Sequence, residues 1–253
     1  MSTKEIAKRA LALVDLTSLN DNDTDDVVKT LCKKAHGEYG RTAAVCVWPR
    51  FVKLAKEQLK GTGVLIATVV NFPHGGTDVE ATVKETEQSI KDGADEIDVV
   101  LPYKSFKEGK EDVCKKLLTA VRKACGKTTL KVIIESGELV HADVITKASR
   151  LSIDCGADFI KTSTGKTPVS ATLEAANAML EAIKASGKPV GFKASGGVKT
   201  TEQAGEYLAL ADKIMGKGWV SPKTFRFGAS GVLSDLLDKM GYKTDSSATN
   251  KGY

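Results

Sequence analysis

The sequence predicts an α/β protein, a TIM (β/α)8 barrel with a short N-terminal helix and a flexible C-terminal tail. Three observations carry that expectation. Short β-rich runs alternate with amphipathic stretches along all 253 residues, and the runs suffice for eight strand–helix units. The junction "DGADEID" returns as "CGADFIK", two copies of one helix-to-strand turn. The glycine-rich first turn of a doubly wound open sheet is absent after the first strand, which makes that architecture the runner-up.

The elements follow in order. "ALVDLT" (12–17) is the first strand, and Asp23 or Thr24 is suited to cap the helix after it. "TAAVCVW" (42–48) and "VLIATVVNF" (64–72) are the second and third strands, rich in β-branched and aromatic residues. Val79, Val83, Thr86 and Ile90 keep a 3.6-residue period, and Gly93 stands where that helix should stop. "EIDVVLP" (96–102) is the fourth strand; Val113, Leu117, Val121 and Ala124 then carry a helix to Gly126. "TLKVIIES" (129–136) is the fifth, followed by a helix through Val144, Ala148, Leu151 and Cys155 to Gly156. "DFIKTST" (158–164), "PVGFKAS" (189–195) and "TFRFGAS" (224–230) complete the set, with Gly187 ending the helix between the sixth and seventh. One catalytic domain is expected over 1–240, with a polar tail over 241–253.

Composition removes several function classes. At 42% hydrophobic and 27% charged the chain is of ordinary globular type. The apolar run near Val64–Val70 is far too short to span a bilayer. No sustained apolar segment follows the N-terminus, so no signal peptide is read and a cytoplasmic protein is expected. The net charge of +5 comes from lysines spread along the whole chain. Without basic runs interleaved with aromatics, neither nucleic acid nor membrane is an expected partner. The five cysteines form no C-x-x-C pair and the three histidines stand far apart. No metal and no other cofactor are therefore expected. A homodimer is an assembly the reading allows.

Strands of a parallel barrel are covered on both faces and should be nearly continuous in Val, Ile and Leu. Yet Asp15, Asp98, Lys131, Glu135, Lys161 and Lys193 stand within or at the end of such runs. Alternation opposes Asp98 to Ile97 and Val99, and Lys161 to Ile160, so the charges are expected inside the barrel. A satisfied ion-pair network explains Asp15, Lys131 and Glu135 as well as a direct role does. Asp98, Lys161 and Lys193 read as functional, because barrel chemistry sits at the C-terminal strand ends. A neutral lysine adds to a carbonyl and loses water, giving an iminium that withdraws electrons from the next carbon. A second lysine and an apolar surround both lower the pKa of the first, and a carboxylate moves protons. That set suits metal-free C–C cleavage or formation through an enamine. The residues alone leave open whether Lys161 or Lys193 is the nucleophile.

"TGKT" resembles the end of a P-loop, but Ile160 occupies the place of that motif's first glycine. Lys166 follows Gly165 on a loop, where an ammonium could neutralise phosphate. "SGGVKTTEQ" after strand seven and "GASGVLSDLL" after strand eight place glycine and serine at helix starts. Those two loops are the common phosphate site of such barrels.

Nearly the whole chain resembles the 2-deoxyribose-5-phosphate aldolases. The likeness runs through "LVDLTSLNDNDT", "TVVNFPHG", "GADEIDVVLPY", "LKVIIESGEL", "GADFIKTSTGK", "GFKASGGVKT" and "RFGAS". It implies a barrel class I aldolase that reversibly splits 2-deoxy-D-ribose 5-phosphate into acetaldehyde and D-glyceraldehyde 3-phosphate in deoxynucleoside catabolism. Its partners would be a small phosphorylated sugar and aldehydes. By resemblance Lys161 is the Schiff-base lysine, Asp98 the acid/base and Lys193 the lysine beside the nucleophile. Gly165, Lys166, Gly196, Gly197, Gly228 and Ser230 fall on phosphate-side positions, and Tyr253 on a proton relay. The chain departs from the family pattern at Gly231, where a serine is common, and at Lys199, where an arginine is common.

Overall fold

The structure is a computed structural model and describes residues 1–242. Eight parallel strands close into a barrel: β1 (Val14–Thr17), β2 (Ala44–Val47), β3 (Leu65–Val70), β4 (Glu96–Val100), β5 (Thr129–Ile133), β6 (Phe159–Lys161), β7 (Gly191–Ser195) and β8 (Phe225–Ala229). Each pairs with its sequence neighbours, and β8 pairs with β1, Val14 opposite Phe227 and Leu16 opposite Ala229. All eight expected strands form. All are shorter than their expected runs, and in six of them the C-terminal end of the run turns into a loop at the barrel mouth.

The helices are α1 (Thr3–Leu11), α2 (Asp25–Lys34), α3 (Val52–Gln58), α4 (Val79–Lys91), α5 (Tyr103–Lys107) and α6 (Glu111–Cys125). They continue with α7 (Ser136–Leu139), α8 (Ala142–Asp154), α9 (Leu173–Ser186), α10 (Thr201–Met215) and α11 (Val232–Met240). Thr24, not Asp23, caps α2, its side chain accepting from Val27 N–H. Asp78, Thr172 and Thr200 do the same for α4, α9 and α10. Gly187 closes α9 in the left-handed conformation that a Cβ would oppose. The short N-terminal helix lies against α10 and α11, fastened by two 2.6 Å bonds from Arg9 to Asp212.

The face that α4 buries differs from its apolar stripe. Thr82, Thr86 and Ser89 are buried, whereas Val79, Val83 and Ile90 are half-buried. Each buried hydroxyl donates to the carbonyl four residues earlier, at 2.7–2.8 Å. A small polar side chain satisfied in this way loses little by burial. The first two residues of the expected tail also belong to the fold. Gly241 ends α11 at φ +92°, Tyr242 N–H bonds Leu237 O at 2.9 Å, and its ring meets Tyr39 edge-on. Residues 243–253, including Tyr253, lie outside the described residues. Among the described residues no helix is long and apolar enough to cross a membrane.

Candidate active site

The lumen is divided into an apolar and a charged side. Ala44 and Cys46 of β2, Ala67 and Val69 of β3, and Leu19 form a small apolar cluster separate from the main core. The remaining strands send charges inward, as alternation and register require. Asp15 comes from β1, Glu96 and Asp98 from β4, Lys131 from β5, Lys161 from β6, Lys193 from β7 and Arg226 from β8. Phe159 enters at the N-terminal end of β6. Gly191 beside it must lack a Cβ, which would meet the Phe159 ring at 2.4 Å.

Three of the residues singled out from sequence meet at one atom. Asp98 Oδ2 accepts from Lys161 Nζ at 3.0 Å and from Lys193 Nζ at 2.8 Å. Lys193 also reaches Asp15 at 2.5 Å, and Lys131 reaches Asp98 at 2.8 Å and Glu96 at 2.6 Å. Arg226 bonds Asp15 at 2.6 Å and Glu96 at 2.8 and 3.1 Å. All of these side chains are at least 96% buried.

The electrostatics separate the two lysines, which the sequence could not do. Burial, and then the Lys193 ammonium, hold Lys161 below the usual lysine pKa against the pull of Asp98. Burial also opposes the charge on Lys193, but Asp15 and Asp98 outweigh it and lift its pKa well above free lysine. Asp98 is likewise disfavoured by burial, yet Lys131, Lys193 and Lys161 keep it well below the usual carboxylate range. Lys161 is thus the amine most readily found neutral, beside a fixed cation and a fixed anion. Such an amine can attack a carbonyl carbon. Cys46 adjoins these charges, and burial raises its thiol pKa and keeps it protonated.

One expectation changes here. Glu135 does not join the ion pairs. It lies two residues beyond β5 at φ +54°, where its carboxylate accepts from Thr164 N–H at 3.1 Å, from Thr164 Oγ1 and from Thr167 Oγ1 at 3.3 Å. It therefore holds the loop that carries Gly165 and Lys166. Gly228 lies within β8, as expected, and a Cβ there would meet Ser195 Oγ at 2.5 Å and Lys193 Cε at 3.0 Å. The missing side chain makes room for Ser195 and Lys193.

Gly165, Gly196 and Gly197 all have positive φ, and the loops after β6 and β7 touch. A Cβ on Gly196 would meet Ser170 Oγ at 2.6 Å and would lie 3.6 Å from Gly165 Cα. Gly196 N–H donates to Gly228 O at 3.1 Å, tying these loops to β8. Ser230 follows β8 directly, and Gly231 is the N-cap of α11, which has no side-chain cap bond. Lys166 and Lys199 are exposed on the same loops, and Gln203 Oε1 accepts from Lys199 N–H at 2.8 Å.

Sequence reasoning missed Glu96, Arg226, Ser163 and Ser195. Glu96 and Arg226 were visible as charges two residues from Asp98 and Gly228 on the same strand face. The hydroxyls of Ser163 and Ser195 are buried with no hydrogen-bond partner among the described residues. Each is two residues beyond one of the paired lysines, towards the mouth. Among the described residues no group of three or more His, Cys, Asp or Glu could hold a metal ion.

A closed parallel barrel whose lumen gathers buried amines and carboxylates is the architecture of a TIM-barrel protein with a polar interior site. Within it, residues 9–234 match the DeoC/LacD family of aldolases, and the chain belongs to that family. A provisionally assigned deoxyribose-phosphate aldolase from Coccidioides immitis is 30% identical, with a TM-score of 0.81 over 92% of this chain and 86% of that one. A second such protein, from Toxoplasma gondii, is 26% identical, with a TM-score of 0.88 over 96% and 98%. The deoxyribose phosphate aldolase of Aeropyrum pernix, 22% identical with a TM-score of 0.73, covers 95% of this chain and 92% of its own, and shares the fold.

Proposed function

We propose that this aldolase works through a Schiff base on Lys161 and reversibly cleaves 2-deoxy-D-ribose 5-phosphate to acetaldehyde and D-glyceraldehyde 3-phosphate. The observation that carries the reading is the shared Asp98 oxygen, which sets a buried, pKa-lowered Lys161 beside the held ammonium of Lys193. The Lys161 amine adds to the C1 aldehyde, and loss of one water gives the iminium. Removal of the C3 hydroxyl proton then breaks the C2–C3 bond. Its electrons pass to the iminium as an enamine, and glyceraldehyde 3-phosphate departs. Protonation at C2 and addition of one water return the amine and release acetaldehyde.

Asp98 and Lys193 are the groups placed to move these protons, directly or through a water. The iminium supplies the electron sink, so this route needs no metal. The small apolar wall of Cys46, Ala67 and Val69 suits a two-carbon donor. The unpartnered Ser163 and Ser195 hydroxyls suit the oxygens of a sugar. Gly165, Lys166, Gly196, Gly197, Gly228, Ser230 and the start of α11 suit the phosphate. Tyr253 would serve as a proton relay. The place in metabolism would be cytoplasmic deoxynucleoside breakdown, with a sugar phosphate and aldehydes as the only partners required.

Incubation with acetaldehyde and borohydride, followed by peptide mass spectrometry, should give one two-carbon adduct, on Lys161. An adduct mainly on Lys193 or Lys166, or none, would overturn the reading.

A further inference from the structure

Arg226 and Glu96 occupy the part of the lumen below the reacting amine. Beyond its bonds to Asp15 and Glu96, Arg226 donates Nε to Pro222 O at 2.5 Å, and its guanidinium lies 5.5 Å from the centre of the Phe159 ring. Among the described residues neither Arg226 nor Glu96 is ion-paired with Lys161. Both still count in a closed, low-dielectric space. Among the described residues this network joins three carboxylates, Asp15, Glu96 and Asp98, with four cationic side chains, Lys131, Lys161, Lys193 and Arg226.

We infer that Arg226 and Glu96 bias the protonation state of Lys161 in opposite directions, Arg226 being the cation of the network that cannot give up its proton and so favours a neutral lumen amine. The inference rests on the Schiff-base reading, in which Lys161 must react as a free amine. With all seven groups ionised this ion-paired network carries one positive charge more than its own carboxylates offset, which is costly away from water. The charge is most cheaply removed where least is lost. Lys193 and Lys131 would each give up contacts to more than one carboxylate, whereas Lys161 gives up only the 3.0 Å contact to Asp98. Arginine cannot share the loss, because it does not deprotonate in proteins. Without Arg226 the three lysines and three carboxylates balance, and Lys161 keeps its proton.

The other titratable groups facing Lys161 stand outside this ion-paired network. Cys46 on β2 is a neutral thiol, β3 contributes Ala67 and Val69, and Glu135 beyond β5, whose charge favours the Lys161 ammonium, is itself pushed towards its neutral form by burial. The balance also bears on the reaction. The iminium is a cation and the enamine is not, so a lumen balanced for neutral Lys161 favours the step that breaks the C–C bond. Arg226 and Glu96 are positioning residues here, acting through the lysines and not on substrate.

The test is trace labelling of Lys161 with acetic anhydride, from about pH 6 to about pH 11, quantified by peptide mass spectrometry. It reads the free-amine fraction without aldehyde or turnover. In the parent protein, half-maximal labelling should come below the free-lysine value of about 10.4. Arg226→Gln should move the midpoint up by at least about one pH unit, roughly a tenfold loss of labelling near neutral pH. Glu96→Gln should move it down. The double variant removes both charges and should return it to within about 0.3 unit of the parent. A purely structural role predicts no such opposition of sign. Single variants that shift together, or not at all, would overturn the inference. Should Arg226→Gln fail to fold, a Glu96→Gln midpoint that does not fall, or a double variant unlike the parent, would overturn it equally. Failure of the Schiff-base reading is distinct: the midpoints behave as described, but acetaldehyde and borohydride leave no adduct on Lys161.

Discussion

Replacing Lys193 by methionine removes the cation that shares an Asp98 oxygen with the amine that must be neutral. The two lysine nitrogens lie 3.0 and 2.8 Å from the same Asp98 oxygen, so they are within about 6 Å of each other. Like charges at about 6 Å with an effective dielectric of about 20 repel by roughly 3 kcal/mol, or about two pH units. The sign is fixed: loss of a neighbouring cation stabilises the Lys161 ammonium and raises its pKa. The free-amine fraction near neutral pH should then fall by about a hundredfold. The assay is the pH dependence of adduct trapped on Lys161 with acetaldehyde and borohydride. The Lys193→Met midpoint should lie about two pH units above the parent, and that of Lys193→Arg, which keeps the charge, should stay near it. The methionine variant also leaves Asp15 and Asp98 short of a partner, so circular dichroism must show it folded. A folded Lys193→Met protein whose trapping profile overlays the parent would refute the electrostatic argument. An arginine variant that traps normally but does not turn over would assign Lys193 a separate task in proton transfer.

Three further outcomes are expected. If the glycine loops hold phosphate, 2-deoxyribose should show a markedly lower kcat/KM than its 5-phosphate, since remote binding energy positions the reacting carbon; initial rates on both sugars check this. Gly228→Ala should push on Ser195 and Lys193 and cost about 1–3 kcal/mol of stability in urea unfolding, together with most of the activity. Ser195→Ala removes a buried hydroxyl that has no hydrogen-bond partner among the described residues. Its Tm should be unchanged or slightly raised while kcat/KM on the phosphorylated sugar falls, and a Tm loss with full activity would place that hydroxyl in the fold rather than at the substrate.

What the sequence determined by itself was everything that depends on near neighbours along the chain. Apolar runs gave the eight strands, glycines at helix ends gave the stops, and alternation turned Asp98, Lys161 and Lys193 inward. The resemblance then assigned their roles. Local pattern misjudged α4, because the bonds from Thr82, Thr86 and Ser89 back to their own helix make a polar face cheap to bury, and hydropathy does not record that. Only the tertiary structure decided which lysine is easily neutral. Lys161 and Lys193 have the same chemistry and equivalent strand positions, opposite each other in register. They differ in that Asp15, 178 residues from Lys193 in the chain, reaches Lys193 and not Lys161. The same holds for Arg226, which meets Glu96 across 130 residues of chain. A pKa in a closed lumen is fixed by the charges gathered around it, and barrel closure gathers them from β1, β4, β5, β6, β7 and β8. No short stretch of sequence contains that sum.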